Sequence, residues 1–214
     1  MDSFKEVLWD PKVIEETSMA EIEEHIGNMG LDRREKEVIK RIIHTTGDLN
    51  LADKVRFHPK AVKAGLQALK NGASVYTDVN MLRAGINLKK LRQYGGSVYC
   101  KVHRPEVSEQ AKSMGITRSA AAMRMFGNQL NNQLVAVGNA PTALFEVLQM
   151  VQKGLTKPSL IIGIPVGFVG AAQSKELLTE FEIPYITLPG TRGGSPVAAA
   201  AVNALIYMLE EYHG

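Results

Sequence analysis

Apolar and polar positions follow two rhythms along the chain, and the change between them falls near Gly72. Before that point the rhythm is helical. In Arg33–Ile43 the apolar Val38, Ile39, Ile42 and Ile43 recur three and four residues apart. Met19–Gly27 reads as an earlier helix, divided from the next by the Gly30–Asp32 turn. Asp32, with Glu35 three residues on, supplies a capping-box-like start. Pro59–Leu69 gathers Val62, Leu66 and Leu69 on one stripe and stops at Asn71-Gly72. After Gly72, short β-rich runs appear at Ala73–Thr77, Ser97–Val102, Gln133–Val137, Leu160–Gly163 and Pro184–Leu188. Helical runs fill the gaps: Asn80–Leu91 with Gly85 inside it, Pro105–Met114, Ser119–Leu130, Pro141–Val151, Ala171–Phe181 and Pro196–Tyr212.

Strand-then-helix alternation predicts an α/β fold of three layers, α/β/α. Its sheet is expected to be doubly wound and mostly parallel, with about five strands and N-terminal helices over residues 1–50. Leu134–Val137 and Leu160–Ile162 are apolar throughout, as strands buried on both faces are. No internal repeat or linker-like stretch interrupts residues 1–214, so a single domain is the expectation.

The last three strands each lead into a loop of small residues. These are Gly138-Asn139-Ala140-Pro141-Thr142, then Pro165-Val166-Gly167-Phe168-Val169-Gly170, then Pro189-Gly190-Thr191-Arg192-Gly193-Gly194-Ser195-Pro196. In an open parallel sheet such loops share the carboxyl edge, where ligands bind. Each also opens a helix, whose free N–H groups favour anions. Pro141 and Pro196 suit the first helical position, and Asn139 and Ser195 are expected as caps. One such loop is ordinary for this class of fold; three in succession point to a ligand crevice.

A second candidate lies outside these loops. At Arg41–Asp48, Arg-Ile-Ile-His-Thr-Thr-Gly-Asp, the buried face of a helix gives way to a polar turn, with Gly47 placed to end the helix. An imidazole can give or take a proton under physiological conditions, which makes His44 a candidate acid and base. Alone, a histidine at a helix end reads first as a cap favoured by the helix dipole.

Composition narrows the alternatives. The 214 residues carry a net charge of +3, too small to imply nucleic acid. Lysines and arginines concentrate between Lys54 and Arg124, where a minority can line a site for an anionic ligand. The single cysteine, Cys100, excludes an intrachain disulfide and is expected in a buried strand. No run is long and apolar enough to span a bilayer, and Met1–Trp9 lacks the apolar region of a signal peptide, so a cytoplasmic setting is the expectation. The dinucleotide, P-loop and nucleophile-elbow fingerprints are absent, and His25, His44, His58, His103 and His213 show no spacing that suggests a metal site. What remains is one histidine, a basic middle and a glycine-rich crevice, a combination suited to proton transfer on a bulky, anionic, planar ligand.

Five blocks go further. Residues 41–48, Gly-Ile-Thr-Arg-Ser-Ala-Ala-Ala at 115–122, Gly-Asn-Ala-Pro-Thr-Ala-Leu-Phe at 138–145, Pro-Val-Gly-Phe-Val-Gly-Ala at 165–171 with Ser174-Lys175, and Gly193-Gly194-Ser195 resemble the precorrin-8X methylmutases. These are also called cobalt-precorrin-8 methylmutases or precorrin isomerases, of cobalamin biosynthesis. The resemblance runs in order from about Glu15 to the C-terminus. It implies a three-layer α/β homodimer, without redox cofactor, that moves a methyl group from C-11 to C-12 of a corrinoid. The product would be hydrogenobyrinate, or cobyrinate where cobalt is present. It implies that His44 protonates the macrocycle and recovers a proton, and that Ser18, Arg41 and Arg118 belong to the substrate pocket. The family's Gly-Arg-x-Gly-Gly-Ser stands here with its arginine moved by one, as Arg192.

Chemistry agrees with that implication. Protonating the conjugated ring creates an electron-deficient centre toward which a methyl can migrate. Arg41 and Arg118 can hold the substrate's carboxylate arms bidentately, and N–H groups at Ala140–Thr142 and Ser195–Val197 can hold others. Asn139, Thr142 and Ser195 are therefore expected contacts, and Phe168 and Leu144 are candidates to pack on the ring. Two other readings stand beside this one: a non-catalytic tetrapyrrole carrier, and a nucleotide- or phosphate-binding α/β enzyme, which lacks its fingerprints.

Overall fold

The Asp10 carboxylate accepts from the backbone N–H groups of Lys12 and Val13, and Pro11 takes the first helical position, opening α1 (Pro11–Ile26). The computed structural model describes residues 7–211. Helix α1 therefore begins well before the predicted Met19. Only Ile22 and Ile26 of it are buried, so it offers no apolar stripe by which the pattern would show its first half. Next, α2 (Arg33–Thr46) starts at the expected cap, where Asp32 accepts from the Arg34 N–H. It ends at Gly47, whose φ of 66° is left-handed and whose N–H returns to the Ile43 carbonyl. Its apolar stripe, Val38, Ile39, Ile42 and Ile43, is buried, each side chain contributing about 1.5–3 kcal/mol by leaving water.

The sheet has six strands rather than about five: β1 (Arg56–Phe57), β2 (Val75–Thr77), β3 (Val98–Tyr99), β4 (Leu134–Val137), β5 (Leu160–Gly163) and β6 (Tyr185–Thr187). Their order is β1-β6-β5-β4-β2-β3, parallel throughout except for β1 against β6. The added strand is two residues long, too short to display any alternation. Around it come α3 (Ala61–Lys70), α4 (Asn80–Gly85), α5 (Leu88–Gln93), α6 (Pro105–Met114), α7 (Arg118–Phe126), α8 (Pro141–Gln152), α9 (Ala171–Thr179) and α10 (Ser195–Glu211).

Strand residues alternate between two cores, as a period of two demands. Leu134, Ala136, Leu160 and Ile162 face α3, α4, α5 and α10, with α1 and α2 joined to that side. Val135, Val137 and Ile161 face α7, α8 and α9. The three-layer, doubly wound expectation is met. Because β3 lies on one side of β2 and β4 to β6 on the other, the winding reverses between β2 and β4, where such folds open a crevice.

Several boundaries differ, each for a local reason. The predicted helix Asn80–Leu91 breaks into α4 and α5, and Asn203 of α10 serves the break, accepting from the Asn87 N–H and donating to the Gly85 carbonyl. The run Ser119–Leu130 stops being α-helical at Gly127, whose φ is 53°, and continues as a 3₁₀ turn, Gly127–Leu130. Strand β3 keeps only two residues of the predicted Ser97–Val102, leaving Cys100 buried just past its end. Tyr212, the predicted end of the last helix, and His213 lie outside the described residues.

Candidate active site

The three glycine loops meet. The Gly194 N–H donates to the Ile164 carbonyl (2.9 Å) and the Gly167 N–H to the Thr191 carbonyl (3.0 Å), which joins the loops after β5 and β6. A Cβ on Gly138 would sit 2.7 Å from the Ser195 Cα, so the loop after β4 closes on the start of α10 only because that side chain is absent. Gly193, at φ 154°, would drive a Cβ into the Ile164 carbonyl oxygen.

A residue that the sequence pattern did not single out organises the β4 side. Asp78, fully buried after β2, accepts from the N–H groups of Gly138 (3.2 Å), Asn139 (2.8 Å) and Ala140 (2.7 Å). Burial pushes its carboxyl above the usual range, opposed by those three N–H groups. Two expectations are corrected here. Asn139 does not cap α8, since the acceptor for its opening comes from Asp78 across the switch point. The Ala140 N–H is likewise taken and cannot hold a ligand carboxylate. The signal in the sequence is an acidic residue directly after the β-rich run Ala73–Thr77. Nor does Ser195 cap α10: it is the first helical residue, with Gly194 before it and Pro196 second.

On the other side, His44 is exposed in the last turn of α2 and makes no hydrogen bond or ion pair among the described residues. Four residues on, Asp48 joins the glycine rim, its carboxylate 2.5 Å from the Arg192 guanidinium. That carboxylate also accepts from the backbone N–H and side chain of Asn50, and those bonds with the Arg192 charge hold it below the usual carboxylate range. The arginine displaced by one position thus faces the histidine's turn.

The remaining predicted residues form two groups. Arg41, one turn before His44, pairs with Glu15 (2.9 Å) and lies over the Tyr207 ring, 4.7 Å from its centre. Ser18 is mid-helix in α1, one turn beyond Glu15, its hydroxyl donating to the Ile14 carbonyl. The second group lies at the start of α7 and α8. There the Thr142 and Thr117 hydroxyls are 2.7 Å apart, which sets exposed Arg118 beside exposed Asn139 and Thr142. Ser195 is 5% exposed and sits at the junction between the loops. Phe168 and Val169 are 91% and 90% exposed on the rim, whereas Leu144 is wholly buried in the core. An open depression of about 600 Å³ adjoins the first group, lined by Glu15, Arg41, Lys90, Tyr207 and Glu210. Another of about 330 Å³ adjoins the second, lined by Thr117, Thr142 and Phe145. A third, about 510 Å³ and bordered by Gln67, Asn71 and Gln133, is at the opposite, amino edge, away from all of these residues. Among the described residues no group of three or more His, Cys, Asp or Glu is placed to hold a metal ion. No helix of the described residues is long and apolar enough to cross a membrane.

Fold and rim together define a doubly wound α/β protein whose three glycine loops join at the carboxyl edge of its sheet. Residues 13–208 match the family described as CbiC, precorrin-8X methylmutase. The chain is 38% identical to the cobalt-precorrin-8 methylmutase of Priestia megaterium over 94% of its own length and 90% of the relative's. It is 40% identical to the precorrin-8X methylmutase of Pseudomonas aeruginosa over 92% and 95%. The crystal structure of a precorrin-8X methyl mutase from Thermus thermophilus superposes with a TM-score of 0.87 at 35% identity, covering 94% of this chain and 97% of that one. This chain belongs to the precorrin-8X methylmutase family.

Proposed function

We propose that this protein, an isomerase of cobalamin biosynthesis by its family, moves a methyl group from C-11 to C-12 of a precorrin-8-type corrinoid, with His44 as proton donor and acceptor. The observation that carries the reading is the state of His44: an imidazole open to solvent and without a partner among the described residues, on a turn tied to the glycine rim. A ring sealed in a dry interior could not reach a substrate to exchange a proton with it. Protonation of the macrocycle produces the electron-deficient centre, the methyl migrates, and the neutral imidazole takes the proton back. Such a group contributes about 10²–10⁴-fold, and the rest comes from holding the ring in one geometry.

The binding assignments follow from what each side chain is doing without ligand. Arg118 is exposed without a partner among the described residues and is ready for a carboxylate arm, with Asn139 and Thr142 beside it. Arg41 must exchange Glu15 for such an arm, and Ser18 lies one turn from that exchange. Phe168 and Val169 offer the flat ring an apolar surface, a role that burial denies to Leu144. Buried Ser195 supports the junction instead of meeting the ligand. Relatives named for the cobalt form and for the metal-free form match about equally, so both are within the proposal. A homodimer belongs to the same reading, and a sedimentation mass of one chain would remove it.

The test is turnover with precorrin-8 as substrate. His44→Ala is expected to fold, bind the corrinoid product and lose the isomerisation by 10²-fold or more. A variant at near-normal rate would end the histidine's role. A wild-type protein that changes the corrinoid spectrum stoichiometrically without turnover would be a carrier instead.

A further inference from the structure

Lys175 sits on α9 with 1% of its surface exposed, and its ammonium donates to the Arg192 carbonyl at 2.7 Å. Among the described residues it has no carboxylate partner. Burial alone lowers its pKa from 10.5 to about 8. The charged and titratable groups on the elements packed against it leave it alone: Glu146 of α8 is paired with Arg124, Arg192 turns its guanidinium to Asp48, and Tyr185 of β6, Glu176 of α9 and Glu180 just past its end contribute nothing to the shift. Methionine would fill nearly the same space without desolvating a cation, so packing does not account for the charge.

What the ammonium does is grip one carbonyl in the turn where Gly193 and Gly194 fold back on Ile164. From that same residue the guanidinium reaches Asp48, four positions from His44. Buried cation, loop backbone, surface ion pair and histidine turn are therefore consecutive links. We propose that Lys175 is a positioning residue for the isomerisation: through Arg192 and Asp48 it sets where the His44 turn stands against the glycine rim. This rests on His44 being the proton-transfer residue.

The experiment combines Lys175→Met, Asp48→Asn and their double variant, with turnover, product affinity, pH profile and the ring resonances of His44 and His58 as readouts. Lys175→Met is expected to lower kcat by about tenfold or more while product affinity changes less than about threefold, since a small misplacement of the reacting group acts on the chemical step. The wild-type rate is expected to step down near pH 8, and the variant to lack that step. The His44 resonance is expected to shift and that of His58 to stay. The double variant is expected to be no slower than the slower single one, because both cut the same linkage. A wild-type kcat and pH profile in Lys175→Met, or full additivity with Asp48→Asn, overturns the proposal. Should that variant not fold, Lys175→Arg must keep the rate and lose the step near pH 8, and a retained step overturns it equally. A His44→Ala variant at normal rate would remove the catalytic reading, while the shifted His44 resonance would still report the Lys175 linkage.

Discussion

The two sides of the rim each bury one charge, of opposite sign, and handle it differently. On the β4 side, Asp78 shares its charge among three backbone N–H groups, and the loop it holds is the start of α8. On the β6 side, Lys175 has one carbonyl, and the next link outward is an exposed ion pair between Arg192 and Asp48. A charge spread over several donors behaves as a fixed strut. A charge with a single acceptor stays close to its titration range and can be let go. Arg118 and Thr142, proposed for the pocket, hang from the strut, while His44, proposed for proton transfer, hangs from the weaker chain. The side proposed only to bind is held by three hydrogen bonds to its buried charge, and the side proposed to exchange a proton by one.

The largest break in this comparison comes from Asp78→Ala. It leaves three N–H groups without their acceptor, each worth about 1–3 kcal/mol when unmet, and a loss near 4 kcal/mol is expected in urea unfolding. A loss below about 1 kcal/mol would mean that the strut is not one. The next effect is a pH dependence. In the unfolded chain Lys175 keeps its proton up to 10.5, but in the folded protein only up to about 8. Between those values the unfolded state binds more protons, so stability rises with pH there. The wild type is expected to gain roughly 3 kcal/mol relative to Lys175→Met across that interval, measured as the difference of two unfolding curves at each pH. A flat difference would show the ammonium to be better solvated than the structure has it. The smallest effect is Asp48→Asn, which removes a surface ion pair. Its melting temperature is expected to move by no more than about 2 °C, while its kcat falls with the His44 turn. A large thermal shift would make the Asp48 link structural and undo the contrast between the two sides.

Much of this is legible in the sequence, and where it is not the signal is either faint or distant along the chain. The α2 helix could be read from end to end, because Asp32, the aliphatic stripe and Gly47 are local signals that act within a turn or two. The glycine rim could be read because each loop of small residues follows a β-rich run, two of them apolar throughout. Helix α1 was half missed, since a helix that buries two residues leaves little periodicity. Asn139 was assigned a cap that belongs to Asp78, because the competing acceptor is 61 residues away in sequence. Nor does the sequence give Arg192 its partner, Asp48 being 144 residues off.

By itself the sequence determined the alternation of strand and helix, the exposed histidine turn and the three loops of small residues. These depend on side-chain spacing and on backbone freedom at individual positions, which act over a few residues. Only the tertiary structure decided which strands lie beside one another, and so that Asp78 reaches the head of α8 and Lys175 lies beneath Arg192. Those placements depend on removing distant groups from water together, and a buried charge takes whatever donor or acceptor the packed chain brings to it.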